Sequence, residues 1–220
     1  RRVREERPLL LVCSPMCTAF STWQRINNKI RDPSIVAAEK ARAIQHLEFR
    51  ITLYRVQLLN NRYFLHEHPA SALSWSEPAI AALSKHPMVY CVVGDQCQYG
   101  LTAPADGDST TQLLAMKPTR FMTSSLQMAS LLNRRCPKNH RHQQLVGGRA
   151  AEAAFYPLEL IRTILQGIRN TAIAEGAMTD FRADEQEIIK ALMNTQGKPQ
   201  WHVGTIAPPS KVKLCKGGVL

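Results

Sequence analysis

Acidic side chains are scarce in this chain: 17 aspartates and glutamates face 28 lysines and arginines in 220 residues, a formal net charge of +11 with a pI near 9.7. Long apolar runs are absent, none approaching the eighteen or so residues of a helical membrane span. No signal-peptide pattern and no internal repeat is visible. The six cysteines, at 13, 17, 91, 97, 136 and 215, lack the regularity of a disulfide framework. Reduced thiols and an intracellular setting, nucleus or cytoplasm, are therefore expected. No segment has the pattern of an integrase or polymerase catalytic core.

What is present suits one cored unit with a polyanionic partner. The chain is long enough to bury a sizeable core, and 45% hydrophobic residues is ordinary for a globular protein. Excess basic charge favours nucleic acid, because each phosphate contact releases condensed counterions. The charge is spread over Arg1, Arg2, Arg4, Arg42, Arg50, Arg55, Arg134, Arg135, Lys138, Arg141 and the tail lysines, a distribution that also serves solubility.

Strand and helix signals alternate, as in an α/β sheet with crossover helices. Leu9 to Cys13 reads as a buried strand. Asp32-Pro33 starts a helix, and Ile44, Leu47, Ile51, Tyr54 and Leu58 recur along it at three and four residues until Asn60-Asn61. Strands are expected over Tyr63 to His66, Met88 to Val93 and Thr119 to Thr123, and a short helix over Ser76 to Lys85. Ser124 with Gln127 forms a capping-box pattern ahead of another helix. Leu101 to Leu114, rich in Ala, Asp, Ser, Thr and Gly, is expected to be an inserted loop. Beyond a Gly147-Gly148 hinge, helices are expected over Ala150 to Arg169 and Ala183 to Asn194, and the Pro- and Lys-bearing end, Gly197 to Leu220, is expected to be a disordered linker.

Two constellations carry chemistry. The first strand stops at Ser14-Pro15-Met16-Cys17, which places one thiol at the carboxyl end of a sheet, where open α/β sheets bind ligands. The second is Cys136-Pro137-Lys138-Asn139-His140-Arg141-His142, three zinc-type ligands in seven residues. Cys97 is the candidate fourth ligand to Cys136, His140 and His142; the alternative is a basic exposed loop that contacts phosphate. Asp95 to Gly100 either sends hydrogen-bonding side chains toward the same edge as Cys17 or closes a turn.

Pro15-Met16-Cys17-Thr18-Ala19-Phe20-Ser21 resembles the Pro-Pro-Cys-Gln-x-Phe-Ser nucleophile motif of the DNA cytosine-5 methyltransferases. Leu65-His66-Glu67-His68-Pro69 is similar to that family's Glu-Asn-Val strand, and Tyr99-Gly100 followed by Lys117-Pro118-Thr119-Arg120-Phe121 to its later substrate-contacting segments. A closer likeness, over Pro8 to Arg169, is to methyltransferase-like segments embedded in copia-type retrotransposon polyproteins of microbial eukaryotes.

The resemblance implies a Rossmann-like, methyltransferase-like partial sheet with flanking helices over 1–170, followed by a C-terminal helical extension (171–196) and the basic tail (197–220). It implies Cys17 as the thiolate that adds to cytosine carbon 6, Glu67 as the ring-nitrogen contact, and Ser21, Gln24, Gln96, Tyr99, Lys117 and Arg120 as substrate-binding residues. The target base would be flipped out or single-stranded, with DNA ahead of RNA as the partner. The methyl donor would be S-adenosylmethionine, yet only sixteen residues precede Cys17 and no Gly-x-Gly turn follows an early strand. The expectation is a piece of a longer polyprotein without its cofactor half. The alternatives are a retroelement-derived nucleic-acid-binding module braced by zinc, and a structural polyprotein segment that associates with its other segments.

Overall fold

The structure, a computed structural model, describes residues 2–22, 24–176 and 212–216. After a short helix α1 (Arg2–Glu6), β1 (Leu10–Ser14) forms from the apolar run and is buried along most of its length. Alternation sends Leu11 and Cys13 to one face and Leu10 and Val12 to the other, each into its own apolar cluster. A strand buried on both faces needs no polar alternation, which is why it appears in sequence as an unbroken apolar run.

A turn and the short α2 (Gln24–Asn27) lead into α3 (Pro33–Leu59). Asp32 caps α3 by accepting from Ser34 N at 2.7 Å, with Pro33 in the first turn, where its missing N–H costs nothing. Leu47, Ile51 and Tyr54 bury one stripe of α3 against Leu11, Cys13 and Phe64. The chain then returns as β2 (Tyr63–Pro69), parallel to β1, completing a β1–α3–β2 crossover. α4 (Pro78–Leu83) and β3 (Tyr90–Asp95) follow.

The segment expected to be an inserted loop is a hairpin, β4 (Thr102–Ala105) and β5 (Asp108–Leu114), turning at Asp106-Gly107 with Gly107 at φ 77°. Asp-Gly between two extended runs is a hairpin signal, and the polar composition masked it. Because this connection holds no crossover helix, β6 (Pro118–Thr123) enters the sheet at the edge where β3 left it and runs antiparallel to both β3 and β2. The sheet is thus mixed, in the order β3-β6-β2-β1-β7, with β7 (Val212–Lys216) paired parallel to β1 within the tail expected to be a linker.

α5 (Leu126–Leu132) is capped by Ser125, whose hydroxyl accepts from Met128 N at 3.0 Å; Ser124, the expected cap, instead accepts from Phe64 N. The helix expected from Ala150 forms as two, α6 (Arg149–Glu152) and α7 (Leu158–Ala174), separated at Pro157. α5 and α7 cover the sheet face opposite α3, and Gly167 lets them approach: a Cβ there would stand 2.9 Å from Met128 Cα. The architecture is mixed α/β with helices on both faces. The helix expected over Ala183 to Asn194 lies outside the described residues, and no helix among the described ones is long and apolar enough to cross a membrane.

The α3 face holds an unusual polar core. His66 is fully buried, its Nδ1 sharing a hydrogen bond with the Tyr54 hydroxyl at 2.9 Å and its Nε2 unpartnered. His68 is tied to Ser74 Oγ and Pro15 O, and both rings abut Trp75. Burial holds both imidazoles below their ordinary pKa of 6.5; the neighbouring ring and Arg50 add to this for His66, whereas Glu67 and the Pro15 carbonyl oppose it for His68. Unfolding therefore takes up protons once pH falls below about 6.5, so stability is full above that value and is lost toward acid. Unfolding free energies from urea titrations should fall between about pH 6.5 and pH 5, by up to about 1.4 kcal/mol per pH unit for each histidine. A His66→Gln variant should lose one proton's worth of that slope; an unchanged acid limb would contradict the assignment.

Candidate metal centre and the sheet edge beside it

β1, β2 and β3 leave the sheet, and β6 enters it, at one common edge, so the topology gathers there the segments singled out by the sequence. After β3 a 3-10 turn, Gln96–Tyr99, closes on Gly100 at φ 78° and buries Cys97. Gly94 has room for no side chain: a Cβ would lie 2.7 Å from Leu132 O and 2.9 Å from the Tyr99 hydroxyl. The end of α5 therefore rests on β3, and the chain beyond it runs alongside. Asp95 N donates to Arg134 O at 2.9 Å, and the buried Asp95 carboxylate accepts from Cys136 N at 2.8 Å while facing Arg135 Nε at 3.3 Å.

The loop then folds on itself. Lys138 takes a left-handed φ of 60° and aims its N–H at Cys136 Sγ, 3.3 Å away. This reversal brings His140 Nε2 to 3.6 Å and His142 Nε2 to 3.4 Å from the same sulfur, with the imidazole centroids 4.5 Å apart. Together with Cys97, all four donor atoms lie within 4.8 Å of one another. Bonds of about 2.3 Å to sulfur and about 2.0 Å to nitrogen give a tetrahedron whose S···N edge is about 3.5 Å. The two separations from Cys136 match that edge, so the four side chains can hold a metal ion. Burial, then the adjacent Cys136 thiol, push the Cys97 thiol up to about 11, crowding that a bound cation relieves by taking the proton's place. Asn139 Oδ1 lies 3.0 Å from His140 Nδ1, the type of outer contact that orients an imidazole. No other such group gathers among the described residues.

Glu67 forms a second cluster at this edge. Nearly buried on β2, its Oε2 accepts from the Ser14 hydroxyl and, at 3.0 Å, from the Tyr156 hydroxyl. Burial and the Glu67 carboxylate hold the Tyr156 phenol well above its ordinary pKa. Cys17 stands half-buried in the turn three residues beyond Ser14, its carbonyl accepting from Phe20 N at 2.9 Å. Ser21 closes that turn, and Gln24 opens α2 beside a depression that Asn28, Arg31 and Lys40 also line.

The other expected substrate contacts do not converge on Glu67. Gln96 is fully buried and donates to Thr119 Oγ1 at 2.9 Å. Tyr99 donates to Leu132 O at 3.0 Å, with burial pushing its phenol up to about 12. Lys117 Nζ donates to Ala153 O at 2.8 Å. Arg120 pairs in register with His68 and lies 5.0 Å over Trp75, so it faces the α3 layer while Glu67 faces α7. Of the polar partners that do meet Glu67, sequence reasoning missed Ser14 and Tyr156. The position of Tyr156 just before Pro157 and an amphipathic helix was the one available signal. No family model, curated protein or solved structure matches the chain.

Proposed function

We propose that this chain is a zinc-braced α/β module of methyltransferase-like ancestry that binds nucleic acid, DNA ahead of RNA. The observation that carries this reading is the Cys97, Cys136, His140, His142 cluster, whose mixed thiolate and imidazole donors suit zinc. All four tetrahedral positions are filled by protein, the mark of a structural ion rather than one with an open catalytic position. The net charge of +11 supplies the attraction to a polyanion. A parallel β1–α3–β2 unit, with the singled-out segments at its carboxyl edge, supports a Rossmann-like, methyltransferase-like ancestry. S-adenosylmethionine does not fit the residues present: the turn after β1 reads Pro15-Met16-Cys17-Thr18 and offers no glycine-rich cradle. Zinc-loaded protein should therefore bind labelled oligonucleotides with an affinity that falls linearly in log–log form as salt rises from about 50 to about 200 mM. Chelation should weaken binding; no binding by folded, zinc-loaded protein at the lower salt would overturn the reading.

A second reading, the catalytic half of a cytosine-5 methyltransferase, is supported by the approach of the Cys17 turn to Glu67 through Ser14. In it Cys17 adds to carbon 6 of an unstacked pyrimidine while Glu67 steadies the ring. That step is testable alone with an oligonucleotide carrying 2-pyrimidinone, which accepts a thiolate without a methyl donor. The reading predicts a covalent band lost in Cys17→Ala. A folded protein that forms none contradicts it.

A further inference from the structure

We propose that the metal-tied loop 134–142 is the phosphate-contacting surface of this protein, with Lys138 and Arg141 as the residues that seat on the nucleic-acid backbone. The inference rests on the nucleic-acid-binding reading and names where that binding occurs.

The geometry separates the four cations of the loop into two kinds. Arg134 lies 5.1 Å over the Tyr99 ring and 3.9 Å from Glu159, and Arg135 is 3.3 Å from Asp95, so both are spent on the protein. Lys138 and Arg141 are exposed and belong to no ion pair among the described residues. Their outward direction follows from the donor cluster. His140 and His142 both turn inward to Cys136, and Arg141 between them, in a chain whose neighbouring side chains diverge, is left facing solvent. Lys138 sits at the apex of the reversal, in the left-handed conformation that lets the backbone double back.

Charge bookkeeping favours a polyanion at this spot. Two thiolates neutralise a divalent ion and the imidazoles bind it neutral, so the loaded centre adds no net charge. Lys138 and Arg141 remain uncompensated, and the loop 134–142 contains no acidic residue of its own. Tying the loop to a metal also removes the ordering cost that a free basic loop bears on binding.

The test is a salt series of oligonucleotide binding by the full, zinc-loaded chain, measured by fluorescence anisotropy on duplex and on single strands. Lys138→Asn/Arg141→Gln is compared with parent protein; asparagine is chosen because it tolerates the left-handed backbone. Arg42→Gln/Arg55→Gln, two exposed positions on α3, removes the same charge elsewhere. Zinc content is measured on each, and Arg141→Gln alone serves if the double variant loads incompletely. The loop variant should lower the slope of log K against log salt by about 1.8 on duplex and about 1.4 on single strands, half as much for the single variant, with the α3 variant near parent. A fully loaded loop variant that keeps the parental slope, or an α3 variant that loses as much, overturns the inference while the binding reading stands. Equal loss of binding to a poly-glutamate peptide would reassign the loop to an acidic protein and also overturn it. A parent protein that binds no oligonucleotide removes the reading beneath it.

Discussion

The stretch from Asn133 to Tyr156 contains only one four-residue helical turn and yet crosses the edge of the sheet where β1, β2 and β3 end, so its backbone depends on side chains for anchorage. The anchors are spaced along it. Asp95 takes Cys136 N, Leu114 O takes Gln143 N, Asp106 meets Arg149 at 2.9 Å, Lys117 holds Ala153 O, and Glu67 receives Tyr156. The donor cluster of Cys97, Cys136, His140 and His142 differs from these ties in that its four donor atoms, within 4.8 Å of one another, could share a metal ion.

The two faces of the sheet divide the remaining work. On the α7 side, Leu65, Phe121, Met128 and Ile164 pack into an apolar layer that ends at Glu67, where two hydroxyls satisfy a carboxylate that burial would otherwise penalise. On the α3 side, His66, His68 and Trp75 form a polar aromatic core closed by Arg120. Neutral imidazoles are tolerated there because Tyr54, Ser74 and Pro15 O take up three of their four ring nitrogens. Glu67 thus belongs to a different environment from its two neighbours His66 and His68, which share one, a consequence of strand alternation alone.

Local signals were legible wherever one physical cause dominated. The unbroken apolar run of β1 and the Asp32-Pro33 start of α3 are read by neighbours a few residues away, and the structure has both. The gathering of Cys136, His140 and His142 with Cys97 was legible, because thiol and imidazole are scarce side chains and the end of β3 lies where the Cys136 loop must pass. What escaped depended on register or on long separation. Ser125 rather than Ser124 caps α5 by a shift of one residue, and the face of Arg120 is set by its pairing with His68. Tyr156 meets Glu67 across 89 residues of chain, a contact that no local pattern encodes. The hairpin at 102–114 was encoded by Asp106-Gly107 but obscured by its polar strands.

The most direct measurement is X-ray absorption at the zinc edge on purified protein with its metal content quantified. The predicted result is one zinc per chain, with two sulfur ligands at about 2.3 Å and two nitrogen ligands at about 2.0 Å, falling to one sulfur in Cys97→Ser. A shell of oxygen and nitrogen alone, or a folded protein that retains no zinc against a weak chelator, would contradict the proposed metal centre.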